Sequence, residues 1–199
     1  MTPRIGPVPK EHWDDDCVAA IRAGMPAAAS DRFLAPDPDA PRLTNGIASM
    51  LHHPRLAAAF LAFNGQLLWD PVLDPRLREL MVLRVAWRTR STYEWVQHVK
   101  LSQRYSVTAV EVDAIGAGEY GGFTQVEADL LRGTDQLLDG YRIDDATWER
   151  LAAVLDAKAL VEMLFVIGTY TGLAMVFNGL GIELDPDLDP ASAPALPAE

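Results

Sequence analysis

The stretch Arg78–His98, RELMVLRVAWRTRSTYEWVQH, decides the fold. It reads as two consecutive helical segments broken near Arg90 and Ser91, with Glu79 on the first and Glu94 and His98 on the second. Four residues separate Glu94 from His98, so on an α-helix their side chains lie about 40° apart on one face, close enough to share a proton or a substrate. The stretch is therefore a candidate acid/base site.

Helix start signals recur on both sides of it, whereas no apolar/polar alternation is sustained long enough to suggest a strand. Asp74 followed by Pro75 reads as an N-cap with proline at the first helical position. Thr108 with Glu111 and Thr124 with Glu127 fit the capping box, and Asp144 or Asp145 would cap a helix carrying Trp148, Leu151 and Leu155. The spacing predicts an all-α bundle with helices near Glu11–Gly24, Pro54–Trp69, Pro75–Thr89, Thr92–Tyr105, Ala109–Gly116, Gln125–Asp139, Asp145–Leu155 and Ala157–Leu180. A Pro/Asp-rich loop is expected from Pro26 to about Thr44. Residues 1–184 are expected to form one domain without a linker, and the tail 185–199, DPDLDPASAPALPAE, to be disordered because it has too little apolar surface to bury. LRELMVLRVAWRT faintly echoes LVEMLFVIGTYTG, aligning Glu79 with Glu162, which fits chance between two buried helices better than a repeat.

The quoted stretch resembles the carboxymuconolactone decarboxylase and alkylhydroperoxidase D superfamily. Redox members of that family carry a Glu and, twelve residues on, Cys-x-x-Cys-x-x-x-His at the start of a helix. Glu79 and His98 match the glutamate and the histidine, while Ser91 and Glu94 stand where the cysteines would be. Together with PVPKEHWDD, HHPRLAAAF and GTYTGLAMVFNGLGI, this resembles the longer, cysteine-less decarboxylase-like branch. The resemblance implies an alkylhydroperoxidase D-like helical fold and a homo-oligomer, commonly a trimer or a multiple of it. It also implies a cofactor-independent reaction on a small unsaturated lactone or carboxylate: decarboxylation, or a related isomerisation, dehydration or cyclisation.

The missing thiols argue against peroxidase chemistry, which needs a low-pKa thiolate and a second thiol to close a disulfide. The single cysteine, Cys17, lies far off in sequence and suits an inert buried position beside Trp13 and Ile21. His98 is the expected proton donor, with Glu79 and Glu94 as orienting or relay partners. Arg84 or Arg88 would anchor a substrate carboxylate, and Ser91 and Tyr93 would border the substrate. Each residue also has a structural account. Ser91 and Glu94 form a capping box in sequence, and a capping Glu94 would have a lowered pKa and be a weak base. His98 could be a satisfied core histidine, Glu79 could pair with Arg76, Arg84 or another arginine, and Trp87, Tyr93, Trp95 and Tyr170 suit the core. A non-catalytic helical oligomer with a decayed site is the alternative function.

A formal charge of −11 over 199 residues argues against a nucleic-acid partner. The basic island of Arg76, Arg78, Arg84, Arg88 and Arg90 suits a small anion better than a duplex. No dinucleotide-binding glycine loop or metal-ligand set is present, and adjacent His52 and His53 point apart on a turn. No cofactor is expected. The N-terminal stretch lacks the apolar core of a signal peptide, so a cytoplasmic location is expected. Met163–Ile182 contains no charged residue and approaches the length of a membrane span. Its polar residues, its glycines and the absence of a flanking basic cluster favour a buried helix, with Gly168 and Gly172 spaced for close helix contact.

Overall fold

The computed structural model describes residues 3–37 and 39–197, and among them there are ten α-helices and no strand. They fall into two compact units, one made of the residues up to Pro71 with Gly179–Asp185, the other of Val72–Asn178 with the residues from Pro186 onward.

The first unit holds α1 (Asp15–Ala23), α2 (Ala27–Leu34), α3 (Asn45–Met50) and α4 (Pro54–Trp69). The Asp14 carboxylate caps α1 by accepting the Cys17 N–H, and α1 packs on α4. Their approach is close at Gly24, where an added Cβ would meet the Leu61 Cβ at 2.6 Å. The Trp69 indole N–H closes the contact on the Gly24 carbonyl at 3.0 Å. Cys17, Ala20, Ile21, Leu43, Ala48, Leu51, Ala57 and Leu61 form the core.

Both α2 and α3 lie in or beside the stretch expected to be a loop; Pro38, within it, lies outside the described residues. The run Ala27-Ala28-Ala29 behind Pro26 supplies enough helix propensity for two turns despite the flanking prolines. The start of α3 is set from a distance: the Asn45 N–H donates to Asp185 at 2.6 Å, and the Asn45 side chain donates to the carbonyls of Glu183 and Leu184.

The second unit holds α5 (Pro75–Arg88), α6 (Thr92–Ser102), α7 (Ala109–Ala117), α8 (Gln125–Gly140), α9 (Asp145–Ala152) and most of α10 (Ala157–Leu180). Asp74 caps α5, both expected capping boxes form, and Asp144 caps α9. Arg76 then ties the two boxes together by bonding Glu111 and Glu127. Leu80, Met81, Val82, Leu83, Val85 and Ala86 are all fully buried, because α5 packs against α6, α7 and α8.

The break between α5 and α6 is a Schellman ending. The Arg90 N–H bonds the Trp87 carbonyl and the Ser91 N–H bonds the Ala86 carbonyl, with Arg90 left-handed at φ 52°. An exposed, β-carbon-bearing residue is strained there, whereas glycine is not. Arg90→Gly is expected to raise unfolding free energy by about 0.5–1 kcal/mol, the strain relieved less the added entropy of the unfolded glycine, as measured by urea denaturation.

Helix α10 is long and apolar enough to cross a membrane by length and composition alone, and 44% of its most apolar window is buried. Met163, Val166, Ile167, Tyr170, Ala174 and Phe177 face inward, while Val161, Phe165 and Met175 are exposed. Gly168 and Gly172 do not make the close helix contact expected of them: a Cβ at either position would meet nothing within 4 Å. They line an open groove of about 570 Å³ between α8 and α10.

The C-terminal segment makes several defined contacts. Asp185 is buried, the Trp95 indole N–H donates to the Pro194 carbonyl at 2.7 Å, and Lys100 pairs with Asp187 at 2.7 Å. A few anchors, rather than a core of its own, hold this acidic, proline-rich stretch against α6. Positions 198 and 199 of the expected disordered tail lie outside the described residues.

Candidate acid/base site

Glu79 comes from the middle of α5, Ser91 from the link, Glu94 and His98 from the first two turns of α6, and Tyr170 from α10. The central contact joins His98 Nδ1 to Glu79 Oε2 at 2.7 Å. The other carboxylate oxygen of Glu79 accepts from Arg78 Nε and Nη2, each at 3.2 Å. Glu79 is completely enclosed and Arg78 nearly so, with the guanidinium 5.6 Å from the centre of the Tyr105 ring. The Tyr170 ring meets the imidazole edge-on at 5.2 Å and 88°.

Burial is the largest influence on Glu79 and pushes its carboxyl up. The charge and hydrogen bond of His98, joined by those of Arg78, outweigh it and hold the group below the ordinary carboxylate value. An ionised Glu79 accepts a hydrogen bond from Nδ1–H, which fixes the imidazole tautomer and leaves the ring lone pair on Nε2. Nε2 has no partner among the described residues, and the side chain keeps about 10% of its surface accessible. The ring is neither sealed nor turned away from its acid.

Ser91 and Glu94 do not form the capping box their sequence suggests. Ser91 occupies the N-cap position, but its hydroxyl accepts no backbone N–H. A capping box also needs the N-cap N–H for the glutamate, and here that N–H is already used by Ala86 to finish α5. The backbone records the conflict: Ser91 has ψ 90°, where the two capping threonines have 161° and 160°. As a result the Ser91 hydroxyl and both Glu94 carboxylate oxygens are buried without a hydrogen-bond partner. Burial pushes the Glu94 carboxyl up to about 7, against opposing pulls from Ser91, which is near but not in hydrogen-bonding geometry, and from the charge of His98. Capping would have made Glu94 a weak base; freed from that task, it can carry a proton near neutral pH.

Arg84 and Arg88 are not brought to this site. Five and nine residues beyond Glu79, they project from other faces of α5. Arg84 binds Asp135 at 2.7 Å and the carbonyls of Ile115 and Gly116, and Arg88 binds Asp135 at 2.6 Å and Asp139. Tyr120 completes the network by donating to Asp135 at 2.6 Å. The expected carboxylate anchors are therefore committed to packing α8 and α7 on α5. Tyr93 is likewise in the core, its ring edge-on to Phe177 at 5.1 Å. Conversely, Arg78 and Tyr170 belong to the site and were not singled out for it. Arg78 could be found as the arginine adjacent to a buried glutamate, whereas Tyr170 carried only a core signal.

The remaining candidates separate cleanly. Glu162, aligned with Glu79 in the internal echo, accepts the N–H groups of Val72 and Leu73. Cys17 lies in the core of the first unit, where burial above all pushes its thiol up. Among the described residues no group of three or more His, Cys, Asp or Glu side chains could hold a metal ion.

The fold and this constellation define an all-helical protein with a glutamate–histidine pair at the junction of two helices. Residues 54–135 match the Carboxymuconolactone decarboxylase family, CMD, a span that includes Glu79, Ser91, Glu94 and His98. Over those residues the chain is similar to that family, and its fold is that of solved alkylhydroperoxidase D-like structures. Similar solved structures include an uncharacterized peroxidase-related protein with an alkylhydroperoxidase AhpD core from Ralstonia eutropha JMP134, at 17% identity over 94% of this chain and 95% of that one, with a TM-score of 0.71. A variant of the debrominase Bmp8 in complex with 2,3,4-tribromopyrrole is similar at 15% identity over 94% of each chain, also at 0.71. A protein from Agrobacterium tumefaciens, described as a putative antioxidant defence protein AhpD, is similar at 18% identity over 69% of this chain and 96% of that one, with a TM-score of 0.63. No curated protein matches in sequence.

Proposed function

We propose that the chain is an acid/base enzyme of the decarboxylase-like kind, acting on a small unsaturated lactone or carboxylate through His98. The observation that carries this is the 2.7 Å bond from His98 Nδ1 to an enclosed Glu79, which leaves Nε2 unpartnered on a side chain about 10% accessible. In a decarboxylation the C–C bond to the carboxylate breaks, CO2 departs, and the electron pair remains as a dienolate. The protonated imidazole delivers Nε2–H to carbon while Nδ1–H stays on Glu79 and stabilises the charged ring. Glu94 returns a proton to the ring between turnovers. The cycle involves no redox change, and Glu94 regains its proton from solvent, so that one solvent proton replaces each CO2 lost. Isomerisation, dehydration or cyclisation would use the same proton transfers.

Incubating the protein with unsaturated lactones and carboxylic acids in deuterated buffer tests this by CO2 release or deuterium incorporation. His98→Ala is expected to lower the rate on the order of 100-fold or more while keeping the helical circular dichroism spectrum. Full activity in that variant would remove the site.

A specific observation favours a second property, self-association: α10 leaves Val161, Phe165, Met175 and Val176 exposed beside the open groove. A solution mass of one chain at micromolar concentration would contradict it.

A further inference from the structure

The unpartnered pair at the start of α6 has a use of its own. Among the described residues, Ser91 Oγ and both Glu94 carboxylate oxygens are buried and bonded to nothing. The two side chains are 0% and 2% exposed. Such groups cost free energy unless something binds them, and a ligand that supplied the missing partners would recover that cost. They sit at a helix N-terminus whose N-cap hydroxyl does not cap, where the helix dipole favours negative charge. A hydroxyl and a helix N-terminus both suit an anion. An ionised Glu94 would repel one, whereas a protonated Glu94 adds a second O–H donor.

We propose that Ser91 and Glu94 form a receptor for the carboxylate of the ligand, and that it binds only with Glu94 protonated, so that each anion bound above neutral pH takes up one proton. This rests on the acid/base reading for its location and adds to it the ligand charge and a proton count. Glu94, rather than the arginines expected for the task, meets the carboxylate. Its ordinary burden, a carboxyl raised to about 7 by burial, places the switch at neutral pH. The groups that act on Glu94 are Ser91 and His98, and Tyr170 of α10 in turn feels the charge of Glu94 together with Glu79, Arg78 and Tyr105. Tyr170 is itself raised by burial first and then by the charge of Glu79, with Glu94 adding to it, and so stays neutral. The C-terminal segment brings Asp187 to Lys100 on the exposed side of α6.

The test is calorimetric binding of 2-furoate, with 2-furamide as its uncharged counterpart, from pH 6 to pH 9 in buffers of unlike ionisation heat. Above pH 7 the wild-type affinity for 2-furoate is expected to fall about tenfold per pH unit, with proton uptake approaching one. Glu94→Gln is expected to lose that slope, and Ser91→Ala to bind more weakly with the slope unchanged. Because His98 could also attract an anion, a slope that persists in Glu94→Gln assigns it to the histidine and overturns the proposal. So does a flat wild-type profile, equal binding of the amide, or no 2-furoate binding at pH 6. Should Glu94→Gln fail to fold, the 13C resonance of the wild-type Glu94 carboxyl decides: at pH 8, 2-furoate must move it toward its protonated position. Proton-linked binding without turnover of any substrate would leave this receptor standing and remove the acid/base reading. Turnover without proton-linked binding would do the reverse.

Discussion

Glu79→Ala is expected to lower the unfolding free energy by about 3–5 kcal/mol and to abolish proton chemistry at His98. The carboxylate it removes is the shared partner of a buried guanidinium and an imidazole, so the alanine takes the Glu79 charge from Arg78 and the anchor from the ring. Glu79→Gln keeps the shape and an acceptor for Arg78, so it should cost less stability while still losing the charge that supports an imidazolium. The pH dependence has a definite sign. Glu79 is held below its ordinary value in the folded state, so its stabilisation is present above the unfolded value of 4.5 and is lost as pH falls through the lower folded one. Urea unfolding of wild type and both variants at pH 7 and pH 3 checks this. A Glu79→Ala variant within 1 kcal/mol of wild type at pH 7 would show that the pair carries no buried charge.

Glu94→Gln is expected to do the opposite and stabilise the fold at neutral and higher pH. The folded-state carboxyl is raised from 4.5 to about 7, so the folded protein binds the proton more tightly than the unfolded chain. Wild-type stability should therefore fall as pH rises from about 4.5 to about 7 and then level off, for a total of about 3 kcal/mol. The glutamine has no proton to lose, so its advantage over wild type should grow across the same window and stay constant above it. Denaturation midpoints at pH 5 and pH 8 measure that difference. Parallel behaviour of the two proteins would mean that Glu94 finds a partner or water that satisfies it.

Much of the site was legible because helical spacing is a local property. The turn separating Glu94 from His98, and the Asp74–Pro75, Thr108–Glu111 and Thr124–Glu127 start signals, depend on a few adjacent residues, and each appears in the structure. What was not legible depends on tertiary contacts. Ser91-Thr-Tyr-Glu94 satisfies the capping pattern in sequence, yet the Ser91 N–H is spent on α5, a conflict visible only once the two helices are joined three-dimensionally. Arg84 and Arg88 looked like free cations until Asp135 and Asp139 of α8 claimed them. Asp185, 140 residues from Asn45, fixes the start of α3, which no local pattern could announce. Tyr170 reaches His98 from α10, and nothing in its own neighbourhood distinguishes it from the other aromatic residues of the core.

The claim on which the account rests is that Glu79 holds the Nδ1 proton of His98 and frees Nε2 for exchange. Imidazole 15N and 1H NMR of the labelled protein between pH 6 and pH 8 reads this directly. A protected Nδ1–H resonance is expected for His98, shifted downfield by its carboxylate and lost in Glu79→Gln. A ring protonated on Nε2 with a bare Nδ1, or an Nδ1 signal indifferent to Glu79→Gln, would contradict it.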